Sequence, residues 1–323
     1  MVTAAVLCST ACAQPRYDMA NIQREQLNRG VVAVRQDAGH VIVSWRTLYT
    51  DKKGEPFDIY RNGVKLNRQP LTTGGTFYVD DSPLATDATY EIRGGGKNGT
   101  YTLAAGAPEG YLPIKLQKPE GGISPDGREY TYSANDASVG DVDGDGQYEI
   151  ILKWSPSNEH DNAHSGFTGN TLFDCYRLDG TRLWRIDMGI NIRSGSHYTQ
   201  MAVYDFDLDG RAELICKTAP GTTDGQGRYV SMAADDDGIA GTDNTADYRN
   251  AEGRILSGPE FLTVFDGQTG KALHTVWYNP NRAFTTAGLP ITAQHGATTT
   301  ATEATGSCAA WPTSTAPRRA RRR

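Results

Sequence analysis

The sequence predicts an all-β protein, an N-terminal β-sandwich-like domain followed by the first blades of a β-propeller. Three observations carry this expectation. The first third of the chain alternates apolar and polar residues in short runs broken by turn dipeptides. Thereafter a four-strand unit with an aspartate-rich loop at a fixed place occurs twice. The composition, with 36 Gly, 15 Pro and 38% hydrophobic residues in 323, suits a turn-rich chain long enough for a sizeable core.

Taken in order, residues 27–108 read as the first β-domain, with strands in VVAVRQ, HVIVSWRTL, FDIYRNGVKLN, TFYVDD and TYEIRGGGKNGTYTLA. Asn62-Gly63 and Asn98-Gly99 are the dipeptides expected to supply positive φ in tight hairpins. Trp45 sits in an alternating strand and is expected in the core rather than as a ligand platform. Tyr111 to Gly127, with three prolines, reads as a linker. Residues 127–282 then follow a different grammar. DVDGDGQYEI, Asp141 to Ile150, returns 64 residues later as DFDLDGRAEL, and each copy runs into a strand ending in lysine, Lys153 and Lys217. LFDCYRLDGTRLWRID and FLTVFDGQTGKALHTV repeat a strand, Asp-Gly turn, strand unit.

Alternating aspartates followed by glycine and glutamate have the chemistry of a hard-cation loop. Calcium takes six to eight oxygens from carboxylates and carbonyls on a sharply turned segment. Asp141, Asp143, Asp145 and Glu149 form one candidate set, with the backbone carbonyl of Gln147. Asp205, Asp207, Asp209 and Glu213 form the second, with the carbonyl of Arg211. A helix-loop-helix calcium hand would need glutamate at position twelve, where Leu152 and Cys216 stand. The bland alternative is an Asx-rich turn that binds nothing, which two copies in one strand context disfavour. In such a setting the ion stiffens a loop rather than performing chemistry. The loop SNEHDNAHSGFTGN, with Glu159, His160, Asp161 and His164, reads as a polar binding-face loop in preference to a zinc site. Asp235 to Asp237 and Asp243 read as a solvated insertion, with a further calcium site as the lesser option.

The net charge of −6 argues against nucleic acid as a partner. MVTAAVLCSTACAQ ends its apolar run in Ala11-Cys12-Ala13, so residues 1–13 are read as the remnant of a signal peptide and the protein as secreted, periplasmic or cell-surface. No apolar run is long enough to span a membrane. Cys175 and Cys216 read as two buried strand thiols, with one disulfide as the alternative.

At YTYSANDASVGDVDGDGQYEIILKW the chain resembles the rhamnogalacturonan lyases of polysaccharide lyase family 11. The likeness continues through FTGN, LDGTRLWRIDMGINIRSGSHYTQ, VYDFDLDGRAELICKTAPGTTDG, ADYRN and LSGPEFLTVFDGQTGKAL, and LNRGVVAV and VSWR match the family's N-terminal sheet domain. The resemblance implies an eight-bladed propeller, calcium, secretion, and β-elimination of the rhamnose to galacturonate linkage in pectic rhamnogalacturonan I. It also implies that Asn135 touches sugar, and offers Ser155 as a second substrate contact, at a position where the family has aspartate. The catalytic residues it implies belong to later blades, which this chain does not show.

After Arg282 the composition turns to Ala and Thr and ends PRRARRR; residues 288–323 are read as an out-of-frame tail, the alternative being a basic tail for an anionic partner. The expectation is therefore a monomeric, N-terminal part of a lyase that does not itself cleave. The competing reading is a non-catalytic calcium-stabilised binding or adhesion module.

Overall fold

The computed structural model describes residues 25–282, and beyond them the backbone of Thr285–Thr286 and Leu289–Pro290. The leader expected at 1–13 and, apart from that last backbone pair, the tail at 288–323 lie outside the described residues.

Strands β1 (Val32–Asp37), β2 (His40–Ser44), β3 (Asp58–Arg61), β4 (Val64–Lys65), β5 (Phe77–Asp80), β6 (Ala88–Arg93) and β7 (Gly99–Leu103) build two antiparallel sheets, ordered β1-β2-β5 and β4-β3-β6-β7. The alternation works as read. Val41 and Val43 of one sheet and Ile59, Tyr90 and Ile92 of the other turn to one buried cluster. Trp45 joins it, its ring 5.6 Å from that of Phe57. Asn62 and Gly63 take φ of 48° and 80° and close the two-residue turn between β3 and β4, as their chemistry dictates. Asn98-Gly99 does not make the next turn: Gly99 is already paired with Ile92, and Gly94, Gly95 and Gly96 carry the positive φ instead. The reason is steric. A Cβ at Gly95 would lie 2.2 Å from both the Arg29 guanidinium and the Asp51 carboxylate, a buried ion pair of 2.5 Å over which the turn folds.

The segment expected as a linker is laid against the molecule. Leu116 packs on Tyr132, Leu152, Trp154, Leu172 and Tyr176, and the Tyr176 hydroxyl accepts from Gln117 N at 3.1 Å. Short strands β8 (Gly122–Ile123) and β9 (Glu129–Tyr130) pair before the main sheets begin.

Two four-stranded antiparallel meanders follow. The first contains β10 (Tyr132–Gly140), β11 (Glu149–Pro156), β12 (Leu172–Tyr176) and β13 (Arg182–Asp187); the second contains β14 (Met201–Tyr204), β15 (Glu213–Thr218), β16 (Phe261–Phe265) and β17 (Ala272–Trp277). One core joins them, with Ile151, Phe173, Cys175 and Trp184 from the first and Leu214, Cys216, Phe261 and Phe265 from the second. Each fully buried aromatic or branched side chain there contributes about 1.5–3 kcal/mol of transfer free energy. The two cysteines are free buried thiols, and burial pushes that of Cys216 up to about 12. The described sheets do not close on one another.

The register gives the pair of meanders two ends. At the lower end lie the 141–148 and 205–212 loops, joined by a bond from Ala212 N to Asp141 O of 2.8 Å. At the upper end lie the long loops 157–171, 188–200 and 219–260. Upper and lower ends of the two sheets coincide, because Lys153 near the top of β11 reaches Tyr198 O at 2.8 Å.

Candidate functional site

The lower end holds the aspartate loops. In both, the first aspartate and the glutamate are buried and act on the loop backbone. Asp141 accepts from Gly144 N at 2.8 Å and Gly146 N at 2.9 Å, and Glu149 from Val142 N at 3.0 Å. Asp205 accepts from Asp209 N and Gly210 N, each at 3.0 Å, and Glu213 from Phe206 N at 2.8 Å. Gly146 and Gly210, at φ of 89° and 96°, allow the turn. The buried glutamates sit directly at the loop exits, so burial first, and the neighbouring aspartates second, push Glu149 and Glu213 up to about 7.

The cluster is complete in one loop and partial in the other. Asp205, Asp207, Asp209 and Glu213 bring one oxygen each within 4.8 Å of one another. In the first loop Asp141, Asp143 and Glu149 do so. Asp145 stays outside that group, although its Oδ1 accepts from Gln147 N at 2.7 Å as that of Asp209 does from Arg211 N at 3.0 Å. Arg177, from the β12–β13 turn, occupies Asp143 Oδ2 at 2.6 Å. Both donor sets are all oxygen and all carboxylate, which suits a hard cation such as calcium and not a thiolate- or imidazole-seeking metal. Gln147 and Arg211 are exposed at the seventh position of each loop.

The upper end carries the sugar-contact candidates. Between the pairs Ala134↔Trp154 and Ala137↔Leu152 the β10–β11 register slips, so that Asn135 and Asp136 together oppose Lys153. Asn135 is half-buried on this bulge, and its Oδ1 accepts from Asp136 N at 2.6 Å. Ser155 is only 2% exposed, beneath the surface, and no described residue bonds to its hydroxyl. Lys153 is buried, pushed down in pKa by that burial, and lies 3.9 Å from Asp136.

The histidine-bearing loop does not gather into a metal group among the described residues. Its backbone serves Arg193, whose guanidinium donates to the carbonyls of His160 at 3.0 Å, His164 at 2.9 Å, Gly166 at 3.0 Å and Gly253. Asp236 of the acidic run caps a short helix, α1 (Asp237–Ala240), accepting from Gly238 N and Ile239 N, while Asp243 accepts from Thr245 N. Those carboxylates are turn and cap residues here.

Sequence reasoning missed a cleft of about 290 Å³ beside the 188–200 loop, lined by Arg193, Tyr198, Thr199, Gln200, Lys217 and Arg282 among others. The strand-terminal lysine was visible as a repeat feature, but its partners lie far along the chain: Glu260, 2.9 Å from Lys217 and 3.0 Å from Arg282.

Comparison with known proteins bears on both ends. Residues 111–288 match the family described as rhamnogalacturonan lyase family 11, C-terminal domain, and residues 22–103 match the rhamnogalacturonan I lyases beta-sheet domain. The chain is 52% identical over 263 residues to the rhamnogalacturonan exolyase YesX of Bacillus subtilis (strain 168), covering 80% of this chain and 41% of that protein. It is 50% identical over 280 residues to the rhamnogalacturonan endolyase YesW of the same organism, covering 86% and 43%. The solved structure of a Bacillus licheniformis rhamnogalacturonan lyase superposes with a TM-score of 0.70 at 52% identity, over 81% of this chain and 43% of that one. The chain thus spans about two fifths of the length of these relatives.

Proposed function

The chain belongs to rhamnogalacturonan lyase family 11, and from that membership we propose that the protein acts on the backbone of pectic rhamnogalacturonan I, cleaving the rhamnose to galacturonate linkage by β-elimination at its relatives' full length. The observation that carries the reading is identity of 52% and 50% to two lyases of that polymer. In the reaction a base takes the proton from C5 of a galacturonate. The freed electron pair becomes the C4–C5 double bond, and the O4–C4 bond breaks with rhamnose as the leaving group. Negative charge develops beside the uronate carboxylate, so a cationic group there lowers the barrier.

Asn135 on its bulge is the sugar-contacting residue of this chain, with Ser155 a second candidate that must shift to reach substrate. The base is assigned to none of the described residues. Calcium is the expected ion: Asp205, Asp207, Asp209 and Glu213 would hold one, and Asp141, Asp143 and Glu149 another, with the carbonyls of Arg211 and Gln147 and, after a rotation, Asp145 completing the shells. When bound, such an ion neutralises the loop and fixes its shape. Its role is structural, since the loops lie at the opposite end of the sheets from Asn135. The two meanders are read as the first two blades of a propeller, residues 27–108 as a separate β-domain, and the protein as exported to meet its polymer.

The test is incubation with rhamnogalacturonan I in calcium and in chelator, following ultraviolet absorbance of the unsaturated uronate alongside polymer binding. The 323-residue chain is expected to bind without an absorbance rise, and the same chain extended to its relatives' length to show turnover. Turnover by the 323-residue chain would place proton abstraction within residues 127–282. Binding without turnover at full length would favour the second reading, a calcium-stiffened binding module, and absence of both would refute the substrate.

A further inference from the structure

The cleft beside the 188–200 loop has a charge balance unlike the rest of this acidic chain. Lys217, Arg282 and Arg193 line it, all mostly or wholly buried. Against them stands one buried carboxylate, Glu260, shared by Lys217 and Arg282. Burial alone would raise Glu260, yet the two cations hold it below the usual carboxylate range. Arg193 spends its donors on backbone carbonyls alone, and Asp161, the carboxylate nearest in influence, is engaged by His197 at 3.4 Å. The site therefore gathers three basic side chains around a single buried carboxylate, a costly arrangement that an incoming anion relieves.

Two further features point to a ligand. Thr199 lines the cleft with φ of 58°, in the left-handed region that a β-branched residue avoids, and its buried hydroxyl has no described partner. Ile215, Leu262 and Met201 give the cleft an apolar wall, suited to the C–H face of a pyranose ring. The position fits as well. Tyr198, which lines the cleft, accepts from Lys153 through its carbonyl, and Lys153 lies opposite the Asn135 bulge, so cleft and sugar-contact candidate share the upper end.

We propose that this cleft is a subsite for the carboxylate of a uronic-acid residue, with Lys217 as the ion-pairing group and Gln200 as a hydrogen-bonding neighbour. The proposal rests on the galacturonate-containing polymer inferred above, and it assigns to Lys217 recognition, not proton abstraction. One donor of its ammonium goes to Glu260, and the residue lines the cleft together with Tyr278, whose ring centre lies 5.5 Å from the Nζ. Lys217→Met leaves Glu260 neutralised by Arg282, so the fold has no unpaired carboxylate to expel.

The test is calorimetric titration of the 323-residue chain with galacturonate, galactose and inorganic phosphate, alongside binding of rhamnogalacturonan I. Galacturonate is expected to bind about tenfold or more tighter than galactose. Lys217→Met should erase that preference, Lys217→Arg should keep it within about threefold, and Gln200→Ala should weaken it about threefold. Thermal melting checks that each variant is folded; if Lys217→Met is not, Gln200→Ala decides, and an unchanged preference there overturns the proposal. Equal affinity for galacturonate and galactose, phosphate displacing galacturonate at equal concentration, or a folded Lys217→Met that retains the preference each overturn it too. Polymer binding that persists without a galacturonate preference sinks the subsite and spares the substrate reading. A galacturonate preference without polymer binding upholds the subsite and sinks that reading.

Discussion

The two aspartate loops share a spacing and differ in their surroundings. Loop 205–213 stands open: its four carboxylates converge, two of them exposed, and none pairs with a basic side chain among the described residues. Loop 141–149 is closed in by the rest of the chain. Arg177 pairs with Asp143, Glu25 Oε1 accepts from Asp141 N at 3.3 Å, and Asn28 N reaches Gly146 O at 2.8 Å. Position four differs as well. Gly144 takes φ of 78° without strain, whereas Leu208 is forced to 60° at the equivalent place. A motif in sequence thus fixes which oxygens can meet, and neighbours far along the chain decide how much cation they still need.

The sharpest break of the comparison is removal of the buried glutamate. In millimolar calcium Glu213→Gln should cost about 2–4 kcal/mol of calcium-dependent stability, the linkage expected for an ion held a hundred- to a thousandfold above its Kd. Glu149→Gln should cost less, because Arg177 already supplies positive charge. Melting with and without chelator measures both, and equal losses would erase the distinction between the loops.

Acidity comes next. Glu149 and Glu213 titrate at about 7 in the fold and near 4.5 unfolded, so the folded protein holds more protons between those values. Metal-free stability should therefore be greatest below about pH 4.5 as far as these two groups decide it, and fall as pH rises through 7, by about 1–2 kcal/mol per group after solvent screening. Calcium should flatten the fall. A metal-free midpoint that rises between pH 5 and 8 would contradict the assignment.

Smaller effects sharpen the contrast. Leu208→Gly copies the first loop into the second, and relief of the left-handed strain should stabilise by up to about 1 kcal/mol in denaturant melts, less whatever packing the half-buried leucine provided. Arg177→Ala should make the first loop resemble the second, tightening its calcium affinity by up to about fivefold in calorimetry. Unchanged affinity would mean that the arginine is not its counter-ion.

How far these features were legible follows from the reach of each interaction. Asp205, Asp207, Asp209 and Glu213 were readable because the convergence is made within nine residues. Asn62-Gly63 was readable for the same reason, as a two-residue turn has no other solution. Asn98-Gly99 misled because the Arg29–Asp51 pair, made by residues far upstream, leaves no room for a side chain at Gly95, and the positive-φ turn is made there. Arg177 was invisible as a loop partner, since 34 residues separate it from Asp143. The cleft was hidden likewise: Lys217 could be seen, but Glu260 is 43 residues away. Nothing local in the 111–127 segment tells that Leu116 packs on Leu152 and Trp154, which lie more than 35 residues further on.

Arg193 has a consequence for the order in which the molecule takes shape. Each meander joins strands that follow one another in sequence, so both sheets can form from local contacts as the chain appears. The Arg193 bonds are of another kind, reaching back 33 residues to His160 and forward 60 to Gly253. Until Gly253 has been synthesised, the guanidinium lacks one of the carbonyls that satisfy it, and the loops it ties remain separate while only the first sheet has all its strands. The ties of the upper surface thus fall between the two sheets in the order of synthesis, after the last strand of the first and before β16 and β17 complete the second.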